Sequence, residues 1–263
     1  KTLNALNFTI PQLRNTVLAN LERCRWLLHD LPDEYIWVNI ADYTLVHVKN
    51  NKEIYKEAVI VGQEVHQTPV FEASMTYIEF NPYWTVPASI ATKEILPQLQ
   101  KNPDYLEKHN MQLFANNEPV ATPSSFSSYS ETYFPYTIKQ EPGEKNSLGK
   151  VKFMFPNPYS IYMHDTPAQN LFDKDQRSFS HGCIRLHNPV DFAYHLLSPQ
   201  GFSVKQISDK VYSEKNEIIS LEKKIPVMIV YFTCYSKQGD KRMFFVKDIY
   251  GNDQKIVQLL LSK

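Results

Sequence analysis

Glycine is scarce in this chain, 7 residues in 263. A phosphate-cradling loop needs several glycines in one short stretch, and none is present, which excludes the nucleotide-binding classes built on such loops. The three cysteines, Cys24, Cys183 and Cys234, are too few for a disulfide framework. Neither sign of charge is in excess: Lys+Arg and Asp+Glu stand at 28 each, so no basic surplus argues for nucleic acid as a partner. No apolar run approaches the roughly 20 residues of a membrane helix, and no transmembrane segment is expected. The chain begins at Lys1 with neither a methionine nor a signal-like run, so a processed or trimmed chain is expected and no cellular address is legible.

What the chain does have is tyrosine and phenylalanine, 16 and 15 residues, with 17 prolines. Many aromatics and few glycines suit a strand-rich fold. Leu13, Val17, Leu21, Cys24 and Leu28 recur at helical spacing, predicting a leading helix over 11–29 with Cys24 on its packed face. The period then changes to two, predicting strands at 35–40, 45–48, 58–61 and 70–80. A short helix is expected over 88–100. Residues 102–139 are broken by prolines and serines yet hold Phe114, Phe126, Tyr129, Tyr133, Phe134 and Tyr136, too aromatic for a disordered linker. They read as an inserted subdomain or lid, and 104–136 as one wall of a groove. Strands resume at 150–155 and 160–164, and Asn188-Pro189 is expected to cap a helix over 190–197. The lysine-rich stretch 205–224 is expected to carry one amphipathic helix, with 227–235 and 243–249 as a hairpin around Gln238-Gly239-Asp240 and 254–261 as a last helix. Cys24 and Cys234 both read as packing residues.

The chemistry concentrates in Ser180-His181-Gly182-Cys183-Ile184-Arg185 and, upstream, Tyr162-Met163-His164-Asp165. A thiol needs a base to become nucleophilic at neutral pH, and an imidazole is the usual one, so Cys183 is the candidate nucleophile and His164 its base. On a strand, Tyr162 and His164 point to one face. Gly182 lets the backbone turn sharply, and its amide is a candidate oxyanion donor. Arg185 carries a fixed cationic fork suited to a carboxylate, with a structural ion pair to Asp165 or Asp191 as its alternative. His181 is open between touching substrate and holding the turn. His164, His181, Cys183, His187 and His195 could in principle ligate zinc, but their spacing matches no zinc pattern, and neither metal nor cofactor is expected.

These residues resemble the catalytic motif of the L,D-transpeptidases, cysteine acyltransferases of the bacterial cell wall: a histidine, a gap, then Ser/Thr-His-Gly-Cys followed two positions later by Asn or Arg. The arginine is similar to that of a large branch carrying a capping subdomain, and Asn81-Pro82-Tyr83-Trp84, Asn146-Ser147-Leu148-Gly149 and Ile161-Tyr162-Met163-His164-Asp165 agree with it. The resemblance implies an α+β fold: a strand-rich, mixed-sheet or β-sandwich-like catalytic core over 1–101 and 140–263, with flanking helices and a capping subdomain over 102–139. It implies acyl transfer from a peptidoglycan stem tetrapeptide through a Cys183 thioester to an amine, giving 3-3 crosslinks in the periplasm or cell envelope, in service of wall organisation and cell shape. Carbapenem-type β-lactams are the covalent inhibitors it implies. Asp165 is a candidate orienter of His164, through its carboxylate or a backbone carbonyl, and Tyr162, His181, Arg185, Ser180 and Trp84 are candidate substrate contacts. The alternatives are an L,D-carboxypeptidase passing the same thioester to water, or a non-catalytic wall-binding module.

Overall fold

The computed structural model describes residues 8–27, 30–102, 104–237 and 239–262. Helix α1 (Ile10–Trp26) leads into β1 (Glu34–Asn39), β2 (Thr44–Lys49), β3 (Lys52–Gly62) and β4 (Phe71–Phe80). Asn50 and Asn51 link β2 to β3 at φ 49° and 59°. A two-residue hairpin turn demands that left-handed pair, and asparagine tolerates it. There follow β5 (Trp84–Thr85), β6 (Met111–Ala115), β7 (Glu118–Val120), β8 (Thr137–Gln140), β9 (Val151–Met154), β10 (Met163–His164), β11 (Ser178–Ser180) and β12 (Ile184–Leu186). Helices α2 (Pro189–Leu197) and α3 (Val204–Tyr212), strands β13 (Glu217–Val230), β14 (Cys234–Ser236) and β15 (Met243–Phe245), and helix α4 (Asn252–Leu261) complete the chain.

One nine-stranded mixed sheet runs β11-β3-β12-β10-β9-β4-β13-β1-β2, and β2 pairs again with β3, so the sheet wraps around and closes on itself. The pairs β1–β13, β10–β12 and β3–β11 are parallel. Its interior is filled by alternate residues of the strands, among them Val38, Leu45, Val59, Ile78, Phe153 and Ile184, together with Phe192 and Leu196 of α2 and Ile207 of α3. Each such side chain contributes about 1.5–3 kcal/mol by leaving water. The molecule is therefore the strand-rich α+β fold that the alternating periods predict.

A second core lies apart from the first. Strands β5-β8-β6-β7 form a four-stranded sheet. Over it pack Val86, Leu96, Leu99, Phe126 and Ile138, the leucines coming from a helical run built of Ala88–Ile90, a π-helical turn Ala91–Ile95, and Leu96–Lys101. The inserted unit expected at 102–139 is thus drawn too short at its start: residues from Trp84 onward pair and pack with it.

Other expectations need correction. In α1 the buried residues are Ala19, Asn20 and Arg23, whereas Leu21 is 58% exposed and Cys24 is exposed. The face that docks is polar: Asn20 Nδ2 donates to Thr233 Oγ1 at 2.7 Å and Arg23 pairs with Asp253 at 2.6 Å. Leu28, on the predicted face, and Gln238, in the predicted hairpin turn, lie outside the described residues. Asn188 does not cap α2 with its side chain; its backbone N–H instead donates to the Glu57 carboxylate at 2.8 Å. The one helix expected within 205–224 is present as α3, ending at Tyr212, and β13 begins at Glu217. Strand β10 holds only Met163 and His164, because Ser160 turns the chain just before it at φ 56°.

Candidate active site

Strands β9, β10 and β12 carry the reactive cluster. Met163 lies opposite Ile184 and His164 opposite Arg185 in the parallel pair, while His164 lies opposite Lys152 in the antiparallel one. Ile184 N donates to Tyr162 O, which continues the register to Tyr162 and Cys183. Side chains alternate along a strand, so Lys152, Tyr162, His164, Cys183 and Arg185 share one face. The ring centroids of Tyr162 and His164 are 5.6 Å apart, and Lys152 Nζ stands 4.8 Å over the tyrosine ring.

His164 is 5% exposed, and its Nδ1 is hydrogen-bonded to the backbone carbonyl of Asp165. A carbonyl only accepts, so the proton sits on Nδ1 and Nε2 keeps its lone pair. Burial lowers the imidazole to about 3, helped by the Arg185 and Lys152 charges and opposed by the backbone carbonyl bonds. The ring is therefore neutral at rest, a base with its basic nitrogen unprotonated. The Asp165 carboxylate does not orient it. That group accepts from Lys150 N at 2.8 Å and Thr166 N at 2.6 Å. Gly149, at φ +63°, lies so close that a Cβ there would stand 2.3 Å from Asp165 Cγ.

The Cys183 thiol reaches toward Ser160 O at 3.9 Å. Burial pushes it up, and the Tyr162 amide, the Tyr162 hydroxyl, Lys152 and Arg185 pull it back. Burial thus favours the neutral form of both the thiol and the imidazole. Burial first, and the neighbouring thiol second, raise the Tyr162 hydroxyl far above its ordinary range, so it stays a donor. The Trp84 side chain hydrogen-bonds to it, and since an indole N–H can only donate, the Tyr162 oxygen accepts.

The remaining candidates divide. Ser180 is 2% exposed and its hydroxyl is consumed within the loop, donating to Cys183 O and accepting from Gly182 N. It is a loop staple, which corrects its reading as a substrate contact. The same bond occupies the Gly182 amide, so that amide is not the free oxyanion donor expected; among the described residues no acceptor lies on the Cys183 amide. Gly182 itself is needed for its backbone, at φ +114° against Ile161 and the 66–67 carbonyls, with its own carbonyl accepting from Thr68 Oγ1 at 2.8 Å. Arg185 makes no ion pair among the described residues, and its Nε is buried without an acceptor. The His181 ring lies against that of His66, tilted by 33° with centroids 4.8 Å apart, and its Nε2 lies 2.7 Å from Glu94 Oε1. Two side chains of the second core, Trp84 and Glu94, therefore reach the cluster, both upstream of 104–136. Lys152 and its partner Glu79, 3.3 Å away, escape sequence reading. The alternation through 150–155 places Lys152 on a strand face, but only the β9–β10 register shows which face. Among the described residues, no group of three or more His, Cys, Asp or Glu is arranged to hold a metal.

Comparison with known proteins bears on this arrangement. The profile of YkuD, the L,D-transpeptidase catalytic domain, matches residues 33–205. A Haemophilus influenzae protein named "Putative L,D-transpeptidase" is 30% identical over 260 residues, 97% of this chain and 53% of that protein. The chain thus spans about half the length of that curated relative. An L,D-transpeptidase structure from Mycobacterium smegmatis aligns at 12% identity and TM-score 0.36, covering 75% of this chain and 58% of that one. L,D-transpeptidase 3 of Mycobacterium tuberculosis aligns at 11% and 0.36, covering 76% and 61%. Superpositions this loose carry no residue-by-residue correspondence. The profile match, well over half the chain and spanning β1 through β12, is what decides the family: this chain belongs to the L,D-transpeptidases, a family of acyltransferases.

Proposed function

We propose that the protein is a peptidoglycan L,D-transpeptidase with Cys183 as nucleophile and His164 as base. The observation that carries this reading is a buried imidazole whose Nδ1 proton is committed to the Asp165 carbonyl, on the strand face that the β10–β12 register extends to Cys183. The donor is a stem tetrapeptide. As Cys183 Sγ attacks the carbonyl of its third residue, His164 Nε2 takes the thiol proton, so a thiolate exists only while the bond forms. The oxyanion is held by the Cys183 amide and the Tyr162 hydroxyl, which Trp84 keeps aimed from the other side. The imidazolium then protonates the leaving D-alanine amine. The thioester passes to an amine, forming a 3-3 crosslink.

The charges around the cluster fit an anionic donor. Among the described residues Arg185 makes no ion pair and its buried Nε has no acceptor, while Lys152 on the same face is already paired with Glu79. Arg185 therefore suits a carboxylate on the stem peptide. The second core would limit water at the thioester by closing over the site through Trp84. A carbapenem would acylate the same sulfur, and the setting would be the periplasm or cell envelope. Among the described residues no helix is long and apolar enough to cross a membrane.

The test is incubation with a tetrapeptide donor and a diaminopimelate-bearing acceptor, read by mass spectrometry. A crosslinked dimer that disappears in Cys183→Ala is the expected product. Free tripeptide as the sole product, at saturating acceptor, would overturn transfer.

A further inference from the structure

Two imidazoles precede the nucleophile within the same motif, and the proposed function uses one. The other, His181, is two residues before Cys183 and 33% exposed. Its Nε2 lies 2.7 Å from a carboxylate oxygen of Glu94, in the π-helical turn Ala91–Ile95 of the second core. Among the described residues no hydrogen bond uses the other ring nitrogen, Nδ1, which can take a proton while Nε2 faces the carboxylate. Lys93, next to Glu94, is 3.2 Å from Glu131. Glu94 remains 51% exposed, so its charge is open to an arriving ligand.

The two sides of Cys183 thus differ in sign. On the Tyr162–His164 side Lys152 is paired with Glu79 and Arg185 is left with no ion pair among the described residues, a net positive charge, whereas Glu94 sets a negative charge beside His181. The second substrate of a transpeptidase is an amine that arrives as an ammonium. With a pKa of ~10.4 for a simple alkylammonium, it carries essentially no free lone pair at neutral pH. It must be attracted and then deprotonated. We propose that His181 and Glu94 form a second acid–base dyad serving the acceptor amine, with Glu94 contributed by the cap as the positioning residue. This rests on the acyl-transfer reading above.

The step balances without a further reactant. The acceptor ammonium gives one proton to His181 Nδ1, and Glu94 stabilises the imidazolium. The free amine attacks the thioester carbonyl. The C–N bond forms, the C–S bond breaks, and the second amine proton goes to the departing Cys183 sulfur, restoring the thiol. His181 then releases its proton to water.

Acyl-enzyme decay separates this role from others. The acyl-enzyme formed from a tetrapeptide donor is followed by intact-protein mass spectrometry at rising diaminopimelate concentration. The slope reports aminolysis and the intercept hydrolysis. Glu94→Gln is expected to lower the slope about tenfold and His181→Gln about 100-fold, with the double variant no worse than His181→Gln alone. The intercept stays within about twofold. With hydroxylamine, an acceptor already neutral, the Glu94→Gln slope matches the unmodified protein. An unchanged diaminopimelate slope in Glu94→Gln overturns the proposal. So does a raised intercept with the slope retained, which would make Glu94 a latch that keeps water out, and so does an equal loss with both acceptors. If the unmodified protein forms no acyl-enzyme at all, it is the acyl-transfer reading that fails instead.

Discussion

His164 is oriented by the main chain of its neighbour: its Nδ1 bonds to the Asp165 carbonyl, while the Asp165 carboxylate turns back onto the amides of Lys150 and Thr166. The residue pair is adjacent in sequence, yet the contact depends on a distant turn, because Gly149 leaves the space that Asp165 fills.

That arrangement separates two substitutions. Asp165→Asn keeps an acceptor for Thr166 and loses one bond to Lys150, so stability should fall by about 1 kcal/mol. Acylation by a carbapenem should stay within about threefold, since the base keeps its orienting carbonyl. Gly149→Ala forces a Cβ to 2.3 Å from Asp165 Cγ at a φ of +63° that alanine resists. Acylation should then drop at least about tenfold, with a stability loss of about 1–3 kcal/mol. Mass-spectrometric acylation rates and denaturant unfolding read both. Equal effects of the two substitutions would contradict carbonyl orientation.

Lys152 is one of the charges that hold the Cys183 thiol down against burial. Its removal as Lys152→Met moves that thiol higher still. Alkylation by iodoacetamide at pH 8 proceeds through the thiolate, so its rate should fall by roughly three- to tenfold, and the rising limb of the rate–pH curve should move to higher pH. A limb that stays in place would mean Lys152 does not act on the sulfur.

How much of this was legible in the sequence follows from what kind of contact each residue makes. Cys183 and His164 stand out because a thiol, a glycine and imidazoles in one polar run have few uses in a core. Strands β1 to β4 announce themselves through period two. The face of α1 was misread because helical spacing gives an angle and not a partner: the side that docks offers Asn20 and Arg23 to Thr233 and Asp253, so polarity marks burial there. Ser180 looked available until its bonds to Gly182 and Cys183 placed it inside the turn. Lys152 and Glu94 are invisible for a common reason. Each meets the site through a pairing between segments far apart in the chain, β9 on β10 and the 91–95 turn on the loop before β12.

Arg185 offers a test of donor recognition. Among the described residues its buried Nε has no acceptor, and Arg185→Lys keeps the charge while removing the planar fork. The donor KM is expected to rise about tenfold with kcat changed by less than about threefold, as befits an interaction made equally in ground and transition states. A fall in kcat at constant KM would instead place Arg185 on the reacting atoms.

Glu57 supplies a pH test independent of catalysis. Burial raises its carboxyl to about 7, opposed by the amides of Asn188 and His187 and by the Tyr55 hydroxyl, and Asn188 N donates to Oε2 at 2.8 Å. The folded pKa lies above the unfolded value of 4.5, so the native state holds a proton that the unfolded chain has lost. The stability this contributes is complete below 4.5 and disappears as pH rises through about 7. Glu57→Gln removes the buried charge and keeps an acceptor for Asn188, and it should stabilise the protein by about 1–3 kcal/mol at pH 8 and by little at pH 4. His47, lowered to about 4 by burial and His195, tilts stability the opposite way between 6.5 and 4. Because His47 is present in both proteins, its contribution cancels in the difference between Glu57→Gln and the unmodified chain. The measurement is chemical denaturation of both at the two pH values. A difference of the same size at pH 4 and pH 8 would show that the Glu57 carboxyl does not titrate between them.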